Sequence, residues 1–123
     1  STGKFTQENK ISTIPKDYHD FNGGAAIRIT SDGKFLYVSN RGHNSITVFA
    51  VKDNGENLET VQNISTEGDF PRDFNLDPTE QFIVCGHQKS DHLSLFERND
   101  QTGKLKLINS DFYAPECVCV LFD

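Results

Sequence analysis

The chain repeats itself at an interval of about 47 residues. Residues 35–40 align with residues 82–87, and residues 46–49 align with residues 93–96, each pair being a short run dominated by apolar side chains. A period in the forties that is built from short strands is typical of β-propeller blades, because one four-stranded sheet occupies about 40 to 50 residues. The repeat therefore predicts an all-β fold of four-stranded antiparallel sheets.

The length limits how much of a propeller the chain can form. Its 123 residues hold about two and a half repeats, whereas a closed ring needs roughly four to eight blades. We expect one partial propeller domain, in which neighbouring blades serve as each other's core. Its expected parts are the end of a preceding blade at 1–22, two blades at 23–66 and 67–112, and a closing inner strand at 113–123.

Within each repeat, apolar alternation between turns that contain Asp, Asn or Gly predicts four strands. The predicted strands are 25–30, 35–39, 46–51 and 58–64 in the first repeat and 71–76, 81–85, 93–97 and 105–109 in the second. Residues 5–14 predict the outer strand of a preceding blade. Residues 115–122 follow the pattern of the inner strand at 71–76, and such a lone strand can complete another sheet and remove its exposed edge.

Composition and charge argue against several classes of protein. The net charge is -6 and no basic run is present, so we expect no nucleic-acid surface. No apolar run approaches the length of a membrane span, and no phosphate loop or metal-binding motif predicts a cofactor. Cys85, Cys117 and Cys119 cannot all pair within one chain. Free thiols in a reducing compartment, the cytoplasm, are therefore expected, with Cys117 and Cys119 as packing residues.

Strand direction places the polar loops on one face of the predicted propeller. Because successive strands alternate in direction, the loops after the second and fourth strands of a repeat lie at the same end. These loops are rich in polar, charged and aromatic residues, and all four histidines of the chain lie in or beside them. The turns at the opposite end carry only common turn sequences. A functional site is therefore expected on the loop-rich face, which contains residues 18–22, 40–44, 68–73 and 87–91.

Four segments carry a resemblance to a known family. They are Gly-Ala-Ala-Ile-Arg-Ile at 24–29, Asp-Gly-Lys-Phe-Leu-Tyr-Val-Ser-Asn-Arg-Gly-His at 32–43, Pro-Arg-Asp-Phe at 71–74 and Ser-Asp at 90–91. Together they resemble the lactonase family of seven-bladed propellers, and the likeness runs from about residue 5 to residue 122. Two departures stand out. Glu80 replaces a turn glycine, and Cys85-Gly86-His87 replaces a more common apolar-small-Asn sequence, so His87 is not expected to have a family role.

The resemblance implies that the intact protein hydrolyses 6-phosphogluconolactone to 6-phosphogluconate, with the isolated chain inactive. Arginines would hold the anionic sugar lactone and polarise its carbonyl group, while a histidine or carboxylate activates water. Two alternatives stay open: a non-catalytic propeller that binds a ligand on the same face, and a carboxymuconate lactonizing enzyme. The expected macromolecular partners are the remaining blades, or a second copy of the chain through exposed blade faces.

The candidate anion-binding residues are two arginines and their neighbours. The resemblance implies that Arg41 points toward the substrate, and a guanidinium at Arg72 could pair with a phosphate or carboxylate through two hydrogen bonds. Asp73 and Gln88 complete the predicted substrate-binding set, and Arg41 is a catalytic candidate together with His43. The alternatives are that Arg41 bonds loop carbonyl groups, that Arg72 forms a salt bridge to Asp73 or to a neighbouring blade, and that Asp73 stabilises a turn or pairs with an arginine.

His43 is the candidate general acid or base, because an imidazole titrates near neutral pH. The alternative is a loop histidine that hydrogen-bonds to the backbone. His19 and His87 are weaker candidates of the same kind. Asp91 is expected to stabilise a turn or to pair with an arginine.

Overall fold

The computed structural model describes residues 11–115 and 120–122, and these residues form two four-stranded antiparallel sheets. The strands of the first sheet are β1 (Gly23–Ile29), β2 (Phe35–Arg41), β3 (Ser45–Lys52) and β4 (Asn57–Ser65). Those of the second are β5 (Pro71–Leu76), β6 (Phe82–His87), β7 (His92–Arg98) and β8 (Leu105–Tyr113). Each sheet is a simple meander in chain order. The predicted all-β architecture and all eight predicted blade strands are confirmed.

The observed strands are longer than predicted at the loop-rich face. Strand β2 continues through Arg41 because Arg41 pairs with Gly23 of β1, and β6 continues to His87. Arg41 is thus the last residue of a strand and not part of a loop, which fixes its backbone more firmly than the sequence suggested.

The two predicted flanking strands fall mainly outside the described residues. Of the strand predicted at 5–14, only residues 11–14 are described, and they are not in a strand. Of the closing strand predicted at 115–122, residues 115 and 120–122 are described, and they too lie outside any strand. No helix in the described part of the chain is long and apolar enough to cross a membrane.

The sheets pack face to face around one apolar core. The first sheet buries alternate residues of β2 and β3, such as Tyr37 and Val48, against Phe74, Ile83 and Phe96 of the second. Ile83 and Phe96 align with Leu36 and Phe49 of the first repeat, and these two residues lie on the opposite side of their own sheet. The second sheet therefore covers the first with the face that, in the first sheet, lies beside residues 11–13.

That face of the first sheet is apolar and only partly covered. Ile27 is 60% exposed and Ile29 is 56% exposed. Leu36, Val38 and Phe49 line a cleft of about 560 Å³ beside Ile27. A surface of this kind on a sheet is typical of an interface.

Both sheets are entered by the same Ile-Ser-Thr sequence, at residues 11–13 and 64–66. The Thr66 carbonyl accepts a hydrogen bond of 2.5 Å from Ser94 Oγ, and the Thr13 carbonyl accepts one from the equivalent hydroxyl of Thr47. The segment before the first sheet and the link between the two sheets are therefore held in the same way, each by a hydroxyl of the third strand of the sheet that follows it. These contacts satisfy buried polar groups that would otherwise destabilise the fold.

Glu80 occupies a turn position where the family usually has glycine, and its side chain forms a contact between the two sheets. Its φ of 60° lies in the left-handed region, as does the φ of 73° at Gly33 of the equivalent turn. The Glu80 carboxylate accepts hydrogen bonds from the N–H and the hydroxyl of Ser31, both at 2.9 Å. The cost of an unfavourable backbone conformation is therefore offset by hydrogen bonds that tie the two turns together.

Gly42 offers a sharp test of the packing at the loop-rich face. Its φ is 107°, and a Cβ atom there would lie 2.0 Å from the Phe21 carbonyl oxygen, whereas Gly55 has a φ of 92° with nothing within 4 Å. We expect Gly55→Ala to cost about 1 to 2 kcal/mol of unfolding free energy from backbone strain alone. Gly42→Ala should cost more than about 3 kcal/mol, because a clash with backbone is added. Urea unfolding of both variants checks this, and equal losses would show that the Phe21 contact is not rigid.

Candidate anion-binding site

A cleft of about 380 Å³ lies beside the inner strands β1 and β5, where the two sheets meet. Its lining consists of the β1 segment 24–28 together with Arg41, Arg72 and Asp73. Three of the five residues predicted to bind or act on substrate, Arg41, Arg72 and Asp73, are thus brought together. The cleft also contains Arg28, which the sequence analysis did not select.

Both inner strands are irregular at equivalent positions beside the cleft. The β1–β2 register shifts between Gly24 and Ile27, and the β5–β6 register shifts between Pro71 and Asp73. Within the first irregularity, the Ala26 N–H donates to Ser39 Oγ at 3.0 Å in place of a ladder bond. Bulges commonly redirect side chains next to functional sites, and the second one contains Arg72.

Arg28 and Asp73 form an ion pair between the two inner strands. Arg28 Nη2 lies 2.9 Å from Asp73 Oδ1, with the side chains 33% and 11% exposed. The other carboxylate oxygen accepts the Val120 N–H at 2.6 Å. Asp73 therefore pairs with an arginine, as one alternative held, but its partner is Arg28 and not Arg72. An arginine inside a predicted inner strand was the signal that could have identified Arg28.

Arg41 lines the cleft, and one of its N–H groups has no hydrogen-bond acceptor among the described residues. Its Nη2 donates to the Gly24 carbonyl at 3.2 Å, so the carbonyl contact held as an alternative for this residue is present. Its Nε is buried without a hydrogen-bond partner among the described residues. A buried donor without an acceptor costs about 1 to 3 kcal/mol. An anion in the cleft would remove that cost.

Gln88 positions Arg72 and does not line the cleft. Its side-chain oxygen accepts a hydrogen bond of 3.3 Å from Arg72 Nη1, and its backbone N–H donates to the Phe70 carbonyl at 2.9 Å. Arg72 itself is exposed and forms no salt bridge to Asp73 among the described contacts. Its remaining donors are therefore accessible to a ligand.

The charges of the cleft favour an anion. Three guanidinium groups face a single carboxylate, that of Asp73, within the lining, although the chain as a whole carries a net charge of -6. Arginine presents several donors in a fixed plane, which suits the oxygens of phosphate and carboxylate groups. The arrangement can therefore bind a small anion and can stabilise negative charge that develops on a bound oxygen.

His43 lies outside the cleft lining and is held by its neighbours. Its Nδ1 is 2.7 Å from Ser45 Oγ, and its ring packs edge-on against Tyr18 with centroids 4.7 Å apart. Ser45 Oγ also accepts hydrogen bonds from the side-chain amides of Asn40 and Asn63. With these amides donating to Ser45 Oγ, the hydroxyl hydrogen points to His43 Nδ1, an arrangement that favours the tautomer with its proton on Nε2.

The other histidines and Asp91 take no part in the cleft lining. His19 and Asp91 are exposed. His87 is fully buried, with Nδ1 bonded to the His92 carbonyl at 2.9 Å, while Nε2 has no hydrogen-bond partner in the described part of the chain. His87 therefore lies inside the protein and away from the cleft.

Neither the cysteines nor the acidic side chains form a metal site among the described residues, where no group of three or more potential ligands comes together. Cys85 is buried in the core between the sheets. Cys117 and Cys119 lie outside the described residues.

His87 predicts a loss of stability in acid. Burial lowers its pKa, so the folded state favours the neutral ring, and nearby His92 adds repulsion that outweighs attraction from Asp69. The unfolded chain takes up the proton near pH 6.5. Stability is therefore full above this pH and falls as the pH drops below it.

His87→Asn, which reproduces Asn40 of the first sheet, should flatten the acid side of the stability profile. Melting temperatures measured at about pH 7.5 and about pH 5 check this. A variant that loses as much stability in acid as the parent would show that His87 is not the responsible group.

The fold and the comparisons with known proteins agree. Two repeated four-stranded meanders, packed face to face with their inner strands beside a charged cleft, have the architecture of two adjacent propeller blades. The chain belongs to the Lactonase, 7-bladed beta-propeller family, whose model matches residues 1–122. The resemblance found in the sequence is thus confirmed.

Relatives cover nearly all of the chain but extend well beyond it. A 6-phosphogluconolactonase of Bacillus subtilis is 46% identical over 122 residues, which are 99% of this chain and 35% of that protein. A solved structure from Lactobacillus plantarum is 55% identical with a TM-score of 0.86, covering 89% of this chain and 32% of that one. The periplasmic gluconolactonase of Pseudomonas aeruginosa is 33% identical with a TM-score of 0.78, covering 84% and 29%. The chain spans about a third of the length of the curated relatives it matches.

Proposed function

We propose that the complete protein carrying this chain hydrolyses 6-phosphogluconolactone to 6-phosphogluconate. The observation that carries the proposal is the convergence of Arg28, Arg41 and Arg72 on one cleft of about 380 Å³, a volume suited to a small ligand. Further support comes from the lactonase family and from the Bacillus subtilis relative named 6-phosphogluconolactonase.

The proposal places this chain within a longer propeller, with residues 23–66 and 67–112 as two blades and the isolated chain inactive. The open apolar face beside Ile27 and Leu36 supports further blades, because the second sheet covers the first with the equivalent face. A cytoplasmic location is part of the proposal. It is supported by the odd number of cysteines, three in all, because an odd number suits a reducing compartment.

The reaction needs little beyond positioning and charge. Water attacks the carbonyl carbon of the lactone, the bond from that carbon to the ring oxygen breaks, and the ring oxygen leaves as a hydroxyl after taking a proton. Negative charge collects on the carbonyl oxygen as the tetrahedral intermediate forms. The Arg41 guanidinium, which lines the cleft, is suited to that oxygen, while Arg72 and Arg28 are suited to the phosphate.

His43 has two possible roles in this reaction, and Ser45 distinguishes them. A general base needs an unprotonated Nε2, whereas the contact with Ser45 favours a proton there. The tautomer favoured by Ser45 suits donation to the leaving ring oxygen. The base role predicted from the sequence stays a prediction.

Arg72→Ala should reduce kcat/KM for 6-phosphogluconolactone about 10-fold to 200-fold, because a charge-assisted contact of about 1.5 to 3 kcal/mol is lost. The phosphate-free gluconolactone should lose less, since it lacks the group that Arg72 holds. Rates are measured after subtraction of spontaneous hydrolysis. Lys52→Ala is the control, because it removes a positive charge from an exposed strand end outside the cleft lining.

Two results would count against phosphate recognition by Arg72. Equal losses of kcat/KM on both lactones would show that Arg72 does not recognise the phosphate. Unchanged kinetics with both lactones would show that Arg72 forms only a surface contact with Gln88.

His43→Ala should lower kcat by about 100-fold while KM changes little, because a proton-transfer group acts on the transition state. Ser45→Ala separates the two roles: it should also lower kcat if His43 donates from Nε2, and it should leave or raise kcat if His43 is the base. Kinetics across pH provide the measurement. A wild-type kcat in His43→Ala would exclude both roles.

A further inference from the structure

Two phenylalanine rings lie parallel beside the arginine cleft. Phe21 and Phe70 have ring centroids 6.3 Å apart and planes within 7° of each other. Each belongs to the loop that leads into an inner strand, Phe21 before β1 and Phe70 immediately before β5. Phe21 is 67% exposed. A large aromatic ring therefore faces solvent at the loop-rich end, supported by a second ring.

The backbones that carry these rings are fixed even though the outer ring is exposed. The Phe21 carbonyl accepts a hydrogen bond of 2.8 Å from the Tyr18 hydroxyl, and Gly42 packs against the same carbonyl so closely that a side chain would clash. An exposed ring on a fixed backbone loses little freedom when it binds a ligand.

Phe70 adopts a backbone conformation that is costly for its side chain. Its φ is 63°, where bulky residues are rare. Its N–H donates to Asn44 Oδ1 at 3.1 Å, and its carbonyl accepts the Gln88 N–H. The surrounding hydrogen bonds hold the residue in place, and the result is a ring that supports Phe21.

Positive charge surrounds the ring pair and connects it with the cleft. The Arg41 guanidinium lies 5.5 Å from the Phe70 ring centroid, and the Lys89 ammonium lies 4.0 Å from it. At Gly23, a Cβ atom would lie 3.2 Å from Arg41 Nη2 and 3.7 Å from the Phe21 ring. The absence of a side chain at Gly23 thus leaves the space between the Phe21 ring and the guanidinium open. Arg41 belongs to both the cleft and the aromatic pair.

We propose that the Phe21 ring, backed by Phe70, is a stacking platform for the six-membered ring of a phosphorylated sugar lactone. A flat apolar ring next to guanidinium groups matches a ligand that combines a C–H ring face with an anionic group. The inference rests on the proposed function, to which it adds a determinant of ring recognition separate from the arginines. Its distinguishing consequence is that Phe21 contributes to binding of the ring and not to binding of the anion.

Binding of two probes to the complete protein tests the platform. Glucose 6-phosphate provides a phosphate and a six-membered ring that the enzyme cannot hydrolyse, and inorganic phosphate provides the anion alone. Phe21→Ala should weaken glucose 6-phosphate roughly threefold to tenfold, as expected for loss of an aromatic contact, and should leave inorganic phosphate unchanged. Phe21→Leu should behave similarly, and Phe21→Tyr should restore binding. Tyr113→Ala removes another exposed aromatic ring, at the end of β8, and serves as the control.

The outcomes separate the platform from the proposed function. If Arg72→Ala weakens both probes while Phe21→Ala changes neither, the platform is wrong and the anion site stands. If Phe21→Ala weakens both probes equally, Phe21 acts only by holding Arg41, and the platform is again wrong. If the unmodified protein binds neither probe, the anion site itself fails and the platform fails with it. Circular dichroism of each variant confirms that the sheets are intact.

Discussion

The packing of one four-stranded sheet on the next is the constraint on which the other features depend. Each sheet has an apolar surface on both sides, and a single sheet has nothing to cover either of them. In this chain the second sheet covers one side of the first through Phe74, Ile83 and Phe96. Because the repeats are alike, the same interface can recur on the open side beside Ile27. This recurring interface produces a ring, and a ring brings inner strands together at its centre.

The candidate site is a product of that junction and belongs to neither sheet alone. Arg28 and Arg41 come from the first sheet, and Arg72 and Asp73 come from the second. The ion pair between Arg28 and Asp73 joins the two inner strands, while Gln88 holds Arg72 from the neighbouring strand end. The cleft therefore exists only when the sheets are correctly packed, and the stability of the fold and the geometry of the site are linked.

Repetition made the strands and the orientation of the loops predictable from sequence, since residues such as Phe35 and Phe82 repeat both spacing and chemistry. Arg41 and Arg72 were predicted as site residues, Arg41 from the resemblance to the lactonase family and Arg72 from its place at the start of an inner strand, and both line the cleft. Arg28 was missed, since its role depends on an ion pair with a residue 45 positions away. The tautomer of His43 and the stacking of Phe21 on Phe70 depend likewise on contacts between distant loops, which spacing does not reveal. The sequence also does not reveal why Glu80 replaces the usual turn glycine, because its hydrogen bonds go to Ser31 of the other sheet.

The central claim is that the junction between the two sheets binds the anionic group of a sugar-acid ligand. A crystal structure of the complete protein with 6-phosphogluconate tests it most directly. The account predicts electron density for the ligand in the cleft beside β1 and β5, with anionic oxygens within hydrogen-bond distance of Arg41 and Arg72. A ligand bound elsewhere on the propeller, with this cleft filled only by water, would contradict it.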